Sequence, residues 1–526
     1  MSFSMLCRAI AVAFLLIAPA VRAQTISGTL LGTVTDPSGN VIPRATVTIL
    51  NESTGDQRSS ATDLTGGFSF PSLLPGSYTV KIEVQGFRTL EKKNNVLTAN
   101  ERVSVGNLQL SIGSVTESVS VAAEGERVQV ASSESSSLLT SRQIDTIAQK
   151  GRVLYNYLLL LPGVSTSGGG ADAASGFLTL PHAGGLPNTM MTMSIDGLQG
   201  EDNGSSQLFQ TNIAPDAVEE IKVLMNNYQA EYGRNGGASV NVITKSGTRD
   251  FHGSLYWFKR HEMFNSNSFF NNRSGLPKAK YRFNTRGATI GGPITIPHVF
   301  NSARQKLFFF YNYDSNPSTS TPATPSRQTL PTAEERAGNF SQSLNPGGAL
   351  IAIRDPLTNA NFPGNIIPAT RINKNGLVLL NTMPLPNQLN RALTAGAYNN
   401  EFLNVTPNER TQHLFRIDWH ASDKNSLYFR GTTFKTLNLR SSLTSFDGPR
   451  NSFGVPSKTA VLGWTRIVSP TMVNEFTAGV KREHEETRID DDKAFRKTYG
   501  FTAGQFHPEI NYDDLLPAVS YIVTGT

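Results

Sequence analysis

The residues that could support catalysis by their type and spacing do not complete a catalytic motif. His261 to Asn265 begins like the zinc-binding helix of a metalloprotease, but Asn265 stands where the second histidine must be. There is no Gly-x-Ser-x-Gly elbow, and Gly168 to Gly170 lacks the Gly-Lys-Ser/Thr ending of a phosphate-binding loop. Acidic runs such as Glu485-Glu486 and Asp490 to Asp492 are expected to be solvated loop charge. We therefore predict that the chain is not an enzyme and has no cofactor or metal site.

Length and composition predict several β-rich units. The chain has 526 residues and a mass of 57.1 kDa, which indicates three or four domains. Only 17% of the residues are charged, and 29 phenylalanines accompany 45 glycines and 28 prolines. This balance excludes a coiled coil and favours turn-rich, aromatic β structure. The net charge of +6 is too small and too evenly spread to indicate nucleic-acid binding.

The first 23 residues predict a secretory signal peptide. Arg8 precedes an apolar run from Ala9 to Ala18, and Val21 to Ala23 offers a small-residue cleavage site. A membrane anchor is the weaker interpretation, because this run has roughly half of the ~18 apolar residues that a spanning helix needs. Cleavage would remove Cys7, the only cysteine, so the mature chain could form no disulfide. No later apolar run is long enough for a spanning helix, so entry into a membrane would require a β-barrel.

Residues 25–113 predict a small β-sandwich. A strand runs into the turn from Asp36 to Asn40, and apolar side chains alternate strictly from Tyr78 to Val84, as in a half-buried strand. Short strands separated by turn signals at this spacing are typical of a sandwich.

The same segment resembles the carboxypeptidase regulatory-like domain in three places. Gly32 to Asp36 matches its Gly-x-Val-x-Asp turn, Ile42 to Val47 its Ile-Pro-x-Ala-x-Val strand, and Pro75 to Tyr78 its Pro-Gly-x-Tyr strand. The eight histidines include no His-x-x-Glu pair, so the zinc ligands of a peptidase are missing. The resemblance therefore implies a binding or structural accessory domain.

Residues 114–140 predict a mobile linker, because they are rich in serine and poor in apolar residues. Within the linker lies a short extended segment with alternating valines, made of Glu117, Ser118, Val119, Ser120 and Val121. One interpretation is that this segment completes the sandwich. The other is that it pairs with a periplasmic partner as an added β-strand.

An α+β unit is predicted over residues 141–248. Thr140 and Gln143 can form a capping box that starts a helix, and apolar residues from Leu154 to Leu161 share one face before Pro162 ends it. Further along the chain, a strand and a turn are predicted from Met193 to Gly197, and a second strand from Val218 to Val223.

Four motifs of this unit resemble the plug domain of TonB-dependent outer-membrane receptors. They are the Ile195-Asp196-Gly197 turn, the Val218 to Val223 strand, Ala230 to Gly233 and the Asn241 to Gly247 strand. The order sandwich, plug and barrel is similar to the Oar-like group of that family. In the family a short segment ahead of the plug, the TonB box, pairs with the energising protein TonB, and the resemblance implies this role for Glu117 to Val121. Asp196 and Gly197 are expected to form a turn rather than a ligand contact.

The third part of the chain alternates as transmembrane β-strands do. In His413 to Trp419 the apolar side chains fall on one face, whereas Arg416 and Asp418 fall on the other. Ala421 to Asn425 predicts a short turn to the next strand. Arg416, Asp418 and Arg430 are expected to form a structural ladder on the lumen wall rather than a substrate site.

Two features favour a membrane barrel over a soluble sandwich. Strand ends such as Tyr256 to Phe258 and Phe308 to Tyr311 are aromatic, as in interfacial girdles. The nearly one hundred residues between Asp314 and Arg410 are too many for a connection inside a compact core. They fit an extracellular loop and resemble the long early loop of Oar-like barrels.

Residues 250–526 are too few for the barrel that the resemblance implies. They number 277, whereas a barrel of about 22 strands with ~10 residues per strand plus its turns needs at least ~400. We therefore expect a partial barrel, and a chain that is the N-terminal part of a longer receptor.

The sequence thus predicts a mainly β protein in five segments. They are a signal peptide (1–23), a sandwich (25–113), a linker with the candidate TonB box (114–140), a plug (141–248) and the N-terminal part of a transmembrane antiparallel β-barrel (250–526). The expected location is the outer membrane of a Gram-negative bacterium, and the expected partners are membrane lipid, the periplasmic TonB complex and an extracellular ligand, with no nucleic acid. The predicted function is TonB-energised transport of that ligand into the periplasm. The alternative is a surface adhesion or carbohydrate-binding protein without transport.

Overall fold

A computed structural model describes most of the chain after its first 26 residues. The described residues are 27–113, 118–122, 133–166, 181–200, 213–229, 232–233, 236–440, 448, 450–469, 472–484, 486–489, 492–505, 507–510 and 514–517. The predicted signal peptide, Glu117, the glycine-rich loop at Gly168 and the acidic residues Glu485 and Asp490 lie outside them.

The N-terminal strands form two facing sheets, called the sandwich below. The strands are β1 (Gly28–Thr35), β2 (Thr46–Asn51), β3 (Gln57–Ala61), β4 (Gly67–Leu73), β5 (Gly76–Glu83), β6 (Thr89–Leu97), β7 (Arg102–Gln109) and β8 (Ser118–Ala122). The smaller sheet has the order β4-β1-β7, and the larger has the order β3-β2-β5-β6-β8. β7 runs parallel to β1 and β8 runs parallel to β6, whereas the other pairs are antiparallel.

One apolar core fills the space between the two sheets, because alternate side chains of each strand point inward. Leu30 of β1 and Tyr78, Val80 and Ile82 of β5 are among its buried members. The turn after β1 is fixed by Asp36, whose Oδ1 accepts hydrogen bonds from two backbone N–H groups. The predicted β-sandwich is confirmed.

The second unit, called the plug below, contains a five-stranded mixed sheet, a separate antiparallel pair made of two short strands, and a helix. Its elements are β9 (Ser135–Thr140), α1 (Ser141–Thr146), β10 (Val164–Ser165), β11 (His182–Ala183), β12 (Thr192–Ile195), β13 (Leu198–Gln199), β14 (Val218–Asn226) and β15 (Ser239–Thr244), with 3₁₀ turns at Lys150–Arg152, Leu154–Leu160, Asn188–Met190 and Pro215–Ala217. The sheet has the order β13-β12-β15-β14-β9.

The helix at the start of the plug is shorter than the sequence predicts. The capping box between Thr140 and Gln143 is confirmed, but α1 ends after six residues. The backbone becomes extended at Ile147, and Gly151 and Arg152, with positive φ angles of 77° and 51°, precede the 3₁₀ turn Leu154–Leu160. The prediction of one continuous helix is therefore wrong, although Leu154 and its apolar neighbours in that turn are buried as expected.

The third part, called the barrel sheet below, is a ten-stranded antiparallel sheet. The strands from here on are β16 (His252–His261), β17 (Lys280–Pro293), β18 (Leu307–Ser315), β19 (Ser318–Thr321), β20 (Ser326–Gln328), β21 (Asn400–Phe402), β22 (Thr406–Ser422), β23 (Asn425–Arg440), β24 (Asn451–Gly454), β25 (Ser457–Ser469), β26 (Met472–Glu483) and β27 (Glu486–Ile489). The main strands follow the order β16-β17-β18-β22-β23-β25-β26. In the same sheet, β19 pairs with β17 and β22, and β24 pairs with β23 and β27. β20 and β21 pair with each other in a separate sheet.

Short helices lie mainly in the connections of the barrel sheet. They are α2 (Phe269–Arg273), α3 (Ala333–Arg336), α4 (Lys374–Asn381), α5 (Arg391–Thr394) and α6 (Arg496–Tyr499), with 3₁₀ turns at Glu262–Phe264, Pro363–Asn365, Ala369–Arg371, Asp492–Ala494 and Pro508–Ile510. The long connection predicted after Asp314 is present and carries α3, α4 and α5. Among the described residues, no helix is long and apolar enough to cross a membrane, which has no bearing on crossing by strands.

The predicted alternation of β22 is confirmed. Phe415, Ile417 and Trp419 are 36% to 44% exposed, whereas Arg416 and Asp418 are at most 3% exposed. The buried face packs against the plug, because side chains of three barrel strands join the plug core. β22 and β23 are joined by a two-residue turn inside the predicted 421–425 segment. The outer face is therefore apolar and the inner face carries the charges, as in a transmembrane barrel.

Candidate functional site

A buried carboxylate of the plug is the centre of the candidate site. Asp196 follows β12 in a left-handed conformation with φ 46°, and Gly197 completes the turn at φ 79°. The side chain of Asp196 is fully buried. In β15, the Thr244 N–H donates to Asp196 Oδ1 at 2.9 Å, and the Thr244 hydroxyl donates to Oδ2 at 2.7 Å. The turn therefore holds the carboxylate in a fixed orientation.

Two arginines of the barrel sheet meet this carboxylate. Arg430 Nε lies 2.9 Å from Asp196 Oδ2, and Arg416 Nη1 lies 3.4 Å from Asp196 Oδ1. Asp418 adds a second negative charge and accepts hydrogen bonds of 2.9 to 3.1 Å from Arg416 Nη2 and Nε. Because all four side chains are buried, the two positive charges need the two negative ones. We call Asp196, Arg416, Asp418 and Arg430 the Asp196 cluster.

Contacts to the backbone hold the same turn. Arg430 Nη2 donates to the Ile195 carbonyl at 3.2 Å, and the Tyr428 hydroxyl donates to the Asp196 carbonyl at 3.0 Å. Tyr428 reaches this position because Gly463 of β25 has no side chain. A Cβ atom at Gly463 would lie 1.9 Å from the Tyr428 ring. The barrel sheet thus grips both the side chain and the main chain of the plug turn.

The sequence analysis located these residues without predicting that they meet. The turn at Asp196 and the inward direction of Arg416, Asp418 and Arg430 are confirmed. The sequence analysis did not predict the salt bridges between plug and barrel. The charged side chains predicted to form a ladder on the lumen wall therefore also contact the plug. The sequence did contain an indication of these salt bridges. Strand alternation places several charged residues on the buried face, and a buried charge needs a partner of opposite charge.

The sandwich is joined to the plug by a second buried set of contacts. The Ala99 N–H donates to Glu220 Oε1 at 2.6 Å, and Lys222 Nζ donates to the Asn100 carbonyl at 3.2 Å. Lys222 also forms an ion pair of 2.6 Å with Glu134, immediately before β9. Glu134, Glu220 and Lys222 are all buried. We call Ala99, Asn100, Glu134, Glu220 and Lys222 the sandwich clamp.

Burial controls the protonation of the sandwich clamp. It raises the pKa of Glu220 to about 7, and the negative charge of Glu219 adds to the rise. The hydrogen bond from the Ala99 N–H and the positive charge of Lys222 act in the opposite direction. Glu220 therefore changes its charge near neutral pH, at the contact between the sandwich and the plug.

A cavity of 290 Å³ lies where the sandwich, the plug and the barrel sheet meet. Its walls include Asp56 of the sandwich, Lys245 after β15, and His252 and His420 of the barrel sheet. His420 Nδ1 lies 3.8 Å from Asp56 Oδ2. Leu73, Leu74 and Leu427 also line the cavity, so its walls are mixed polar and apolar.

Three family models match the chain, in the order of the units described above. A carboxypeptidase regulatory-like domain matches residues 29–111, and a TonB-dependent receptor plug domain matches residues 126–240. An outer membrane beta barrel domain matches residues 243–525, which is more than half of the chain. The chain belongs to the TonB-dependent outer-membrane receptors. The location of this receptor is the outer membrane of a Gram-negative bacterium.

Known relatives of the receptor are considerably longer. The TonB-dependent transporter Oar of Myxococcus xanthus is 26% identical over 312 residues, a match that covers 55% of this chain and 26% of Oar. The siderophore receptor PirA of Acinetobacter baumannii has a TM-score of 0.39 at 14% identity, and the outer membrane transporter YddB of Escherichia coli has 0.43 at 11%. These matches cover 66% and 68% of the receptor chain and 40% of each solved structure.

Four of the five residues of the candidate TonB box lie in β8. Its backbone pairs with β6 from Thr89 opposite Ser118 to Lys93 opposite Ala122. The segment therefore completes the larger sheet of the sandwich, which was one of the two interpretations of the sequence. Its other edge pairs with no strand in the described part of the chain. Pairing with TonB stays a prediction.

The family of this receptor consists of receptors and transporters rather than enzymes. The segment from His261 to Asn265, which begins like a zinc-protease motif, forms the end of β16 and a 3₁₀ turn instead of a helix. Within the residues that the structure describes, no group of three or more His, Cys, Asp or Glu side chains is placed to hold a metal ion.

Proposed function

We propose that the receptor binds an extracellular ligand and moves it into the periplasm with energy delivered by TonB. The observation that carries the proposal is the Asp196 cluster, which ties the plug to the inner face of the barrel sheet through buried charges. A plug held in this way closes the passage, so opening it requires work. Membership of the TonB-dependent receptors supports TonB as the source of that work.

The plug has to loosen locally rather than unfold as a whole. Its apolar core continues into the barrel sheet through Phe283, Phe310 and Leu414. Separating these surfaces completely would expose the core to water. Breaking the polar contacts at one edge of the plug costs much less, and proteins open in such local units.

The free edge of β8 supports the position of the candidate TonB box. An extended segment of TonB can add to this edge as a further strand, with backbone hydrogen bonds supplying the affinity. Residues 123–134 link β8 to β9 along the chain, and β9 is the outermost strand of the plug sheet. Glu134 directly precedes β9 and holds Lys222. A pull on β8 would therefore reach the sandwich clamp before it reached the plug core.

Disulfide trapping tests the contact with TonB. The substitution Val119→Cys introduces a thiol into β8, and TonB variants with a cysteine near the region that binds receptors supply the second one. The matched control is Ser59→Cys on β3, which forms the opposite edge of the same sheet. We expect a crosslink with Val119→Cys and none with Ser59→Cys. Equal crosslinking at both edges, or none at β8, would contradict the assigned box.

A second measurement separates transport from adhesion. Deleting Ser118 to Val121 should abolish energy-dependent uptake while leaving ligand binding at the cell surface intact. An adhesion or carbohydrate-binding protein would behave differently, because the isolated sandwich, residues 25–113, would retain the binding activity and the deletion would have no effect on it.

A further inference from the structure

The outward face of the first barrel hairpin becomes cationic at its outer end. On β16, Leu255, Trp257 and Lys259 share one face because they are alternate residues, and all three are exposed. Phe258 lies on the opposite face, where the plug residue Arg152 stacks over its ring at 3.9 Å. The face with Lys259 is therefore the one turned towards lipid.

The neighbouring strand adds a second cation at nearly the same height. Arg286 of β17 is exposed and lies directly opposite Trp257. Its other partner is Ser315, the last residue of β18 before the long connection. The sandwich contacts the opposite end of the sheet, so Lys259 and Arg286 lie at the extracellular end. Along β16, leucine, tryptophan and lysine follow one another from the apolar band to the level of the headgroups.

The loop above this hairpin has the same chemistry. Residues 263–280 contain the exposed apolar side chains Met263, Phe264, Phe269 and Phe270, which are 67% to 73% exposed. The loop also carries three exposed cations and no acidic residue. These cations are Arg273, Lys278 and Lys280.

No carboxylate within the described ranges neutralises this surface. The nearest acid in sequence, Glu262, is already engaged by Arg282 at 2.9 Å, a contact that holds the pKa of Glu262 low, at about 2. Lys259 lies 5.9 Å from the Trp257 ring, a contact with a neutral group. The positive charge of the hairpin thus remains available to an external anion.

We propose that the outer end of the β16–β17 hairpin, with residues 263–280, binds the phosphorylated headgroup of an outer-leaflet lipid. The phosphate lies against Lys259 and Arg286, where Arg supplies a planar pair of donors and Lys a point charge. The exposed phenylalanines of the loop enter the boundary between headgroups and acyl chains. The site is separate from the plug and does not depend on the transport proposal.

Lipid binding to the purified receptor tests this proposal. The receptor in detergent is titrated with lipid A, a phosphorylated glycolipid, and in parallel with phosphatidylcholine and with inorganic phosphate, while its thermal midpoint and the fluorescence of its tryptophans are followed. We expect lipid A alone to raise the midpoint. In the double variant Lys259→Gln/Arg286→Gln, the concentration of lipid A needed should rise about tenfold, since each basic residue contributes to the attraction.

A matched variant controls for the loss of two charges. Arg304→Gln/Lys306→Gln removes two exposed cations from the connection at the opposite end of the barrel sheet, and it should bind lipid A as the unchanged receptor does. Should Lys259→Gln/Arg286→Gln retain full affinity, or should both double variants lose it equally, the assigned site is wrong. Phosphatidylcholine also carries a phosphate, but its choline cancels the charge, so an equal response to it would show that the site does not select an anionic headgroup and would overturn the proposal.

Discussion

Asp196 illustrates how one side chain can join two parts of a receptor. Its two carboxylate oxygens are shared among Thr244, Arg416 and Arg430, so neither oxygen is left without a partner. A buried ion pair adds little to stability when it is compared with an apolar replacement, but it is costly to break by removing one partner. Losing Asp196 would therefore leave Arg430 buried without its carboxylate partner, whereas Arg416 would keep Asp418.

The substitution Asp196→Asn removes the charge and keeps the backbone, because asparagine tolerates the left-handed conformation found here. We expect the free energy of plug opening to fall by about 3 kcal/mol or more. Hydrogen exchange of the β15 amides in the receptor measures this opening. Asp423→Asn, at an exposed turn of the barrel sheet, is the control and should change nothing. Unchanged exchange in Asp196→Asn would show that the cluster does not hold the plug.

Glu220 gives the sandwich clamp a dependence on pH. Its pKa in the folded receptor is raised from 4.5 to about 7, mainly by burial, so the folded state binds the proton more tightly than the unfolded state. The stabilisation is therefore complete below about pH 4.5 and is lost as the pH rises towards 7. Glu220→Gln stays neutral at every pH, and its amide oxygen can still accept from Ala99.

We expect the fall in the thermal midpoint of the receptor between about pH 5 and pH 7 to be smaller in Glu220→Gln than in the unchanged chain. Glu91→Gln, a partly exposed position in β6 of the sandwich, serves as the control and should retain the full pH dependence. If Glu220→Gln and Glu91→Gln follow the same curve, Glu220 does not titrate at the clamp.

At the scale of elements, the barrel sheet makes room for its own aromatic side chains by placing glycine beside them. Tyr428 of β23 covers Gly463 of β25, and Phe415 of β22 covers Gly431 of β23. Each glycine faces a ring on the adjacent strand, an arrangement that lets a large side chain lie along the sheet. For Tyr428 the result is functional, because its hydroxyl reaches the plug turn at Asp196.

Gly463→Ala should push the Tyr428 ring away from β25 and weaken its hydrogen bond to the Asp196 carbonyl. Tyr428→Phe removes the hydroxyl and with it the hydrogen bond to the Asp196 carbonyl, and it should cost about 1 kcal/mol of plug stability. In a double-mutant cycle measured by hydrogen exchange of β12 and β15, we expect the two changes to be non-additive. Additive effects would mean that Gly463 acts on something other than the contact of Tyr428 with the plug.

At the scale of the whole molecule, the plug is held from two sides. The Asp196 cluster joins it to the barrel sheet, and the sandwich clamp joins it to the sandwich. The plug strand β14 carries both Glu220 and Lys222 and lies between β15 and β9 in the plug sheet. The sandwich therefore contributes to the stability of β14, the neighbour of β9, and β9 is the plug strand that follows β8 along the chain.

Deleting residues 27–113 from the receptor would expose Glu220 and Lys222 to water. We expect hydrogen exchange of the β14 amides to become at least about tenfold faster, because local opening becomes less costly when tertiary contacts are lost. The amides of β25, which lie within the barrel sheet, provide an internal control and should exchange at their original rates. Unchanged exchange in β14 would show that the sandwich is attached to the plug without stabilising it.

The sequence by itself determined the classes of structure in this receptor. The period-2 alternation of β5 and β22, the capping box at Thr140 and the turn at Asp196 depend on neighbouring residues, and local chemistry decides them. Local chemistry was also enough to assign inward and outward faces in the barrel sheet. It failed between Thr146 and Leu154, where the backbone becomes extended at Ile147 and two left-handed residues follow, so the helix does not continue.

Only the tertiary structure decided which charged groups meet. Asp196 and Arg416 are 220 positions apart, and Ala99 and Glu220 are 121 apart. Strand alternation can show that each of these groups is buried, but pairing depends on how the sandwich, plug and barrel sheet pack together. The raised pKa of Glu220 has the same origin, because burial against another domain causes it. Burial creates the need for a partner, and packing determines which residue that partner is.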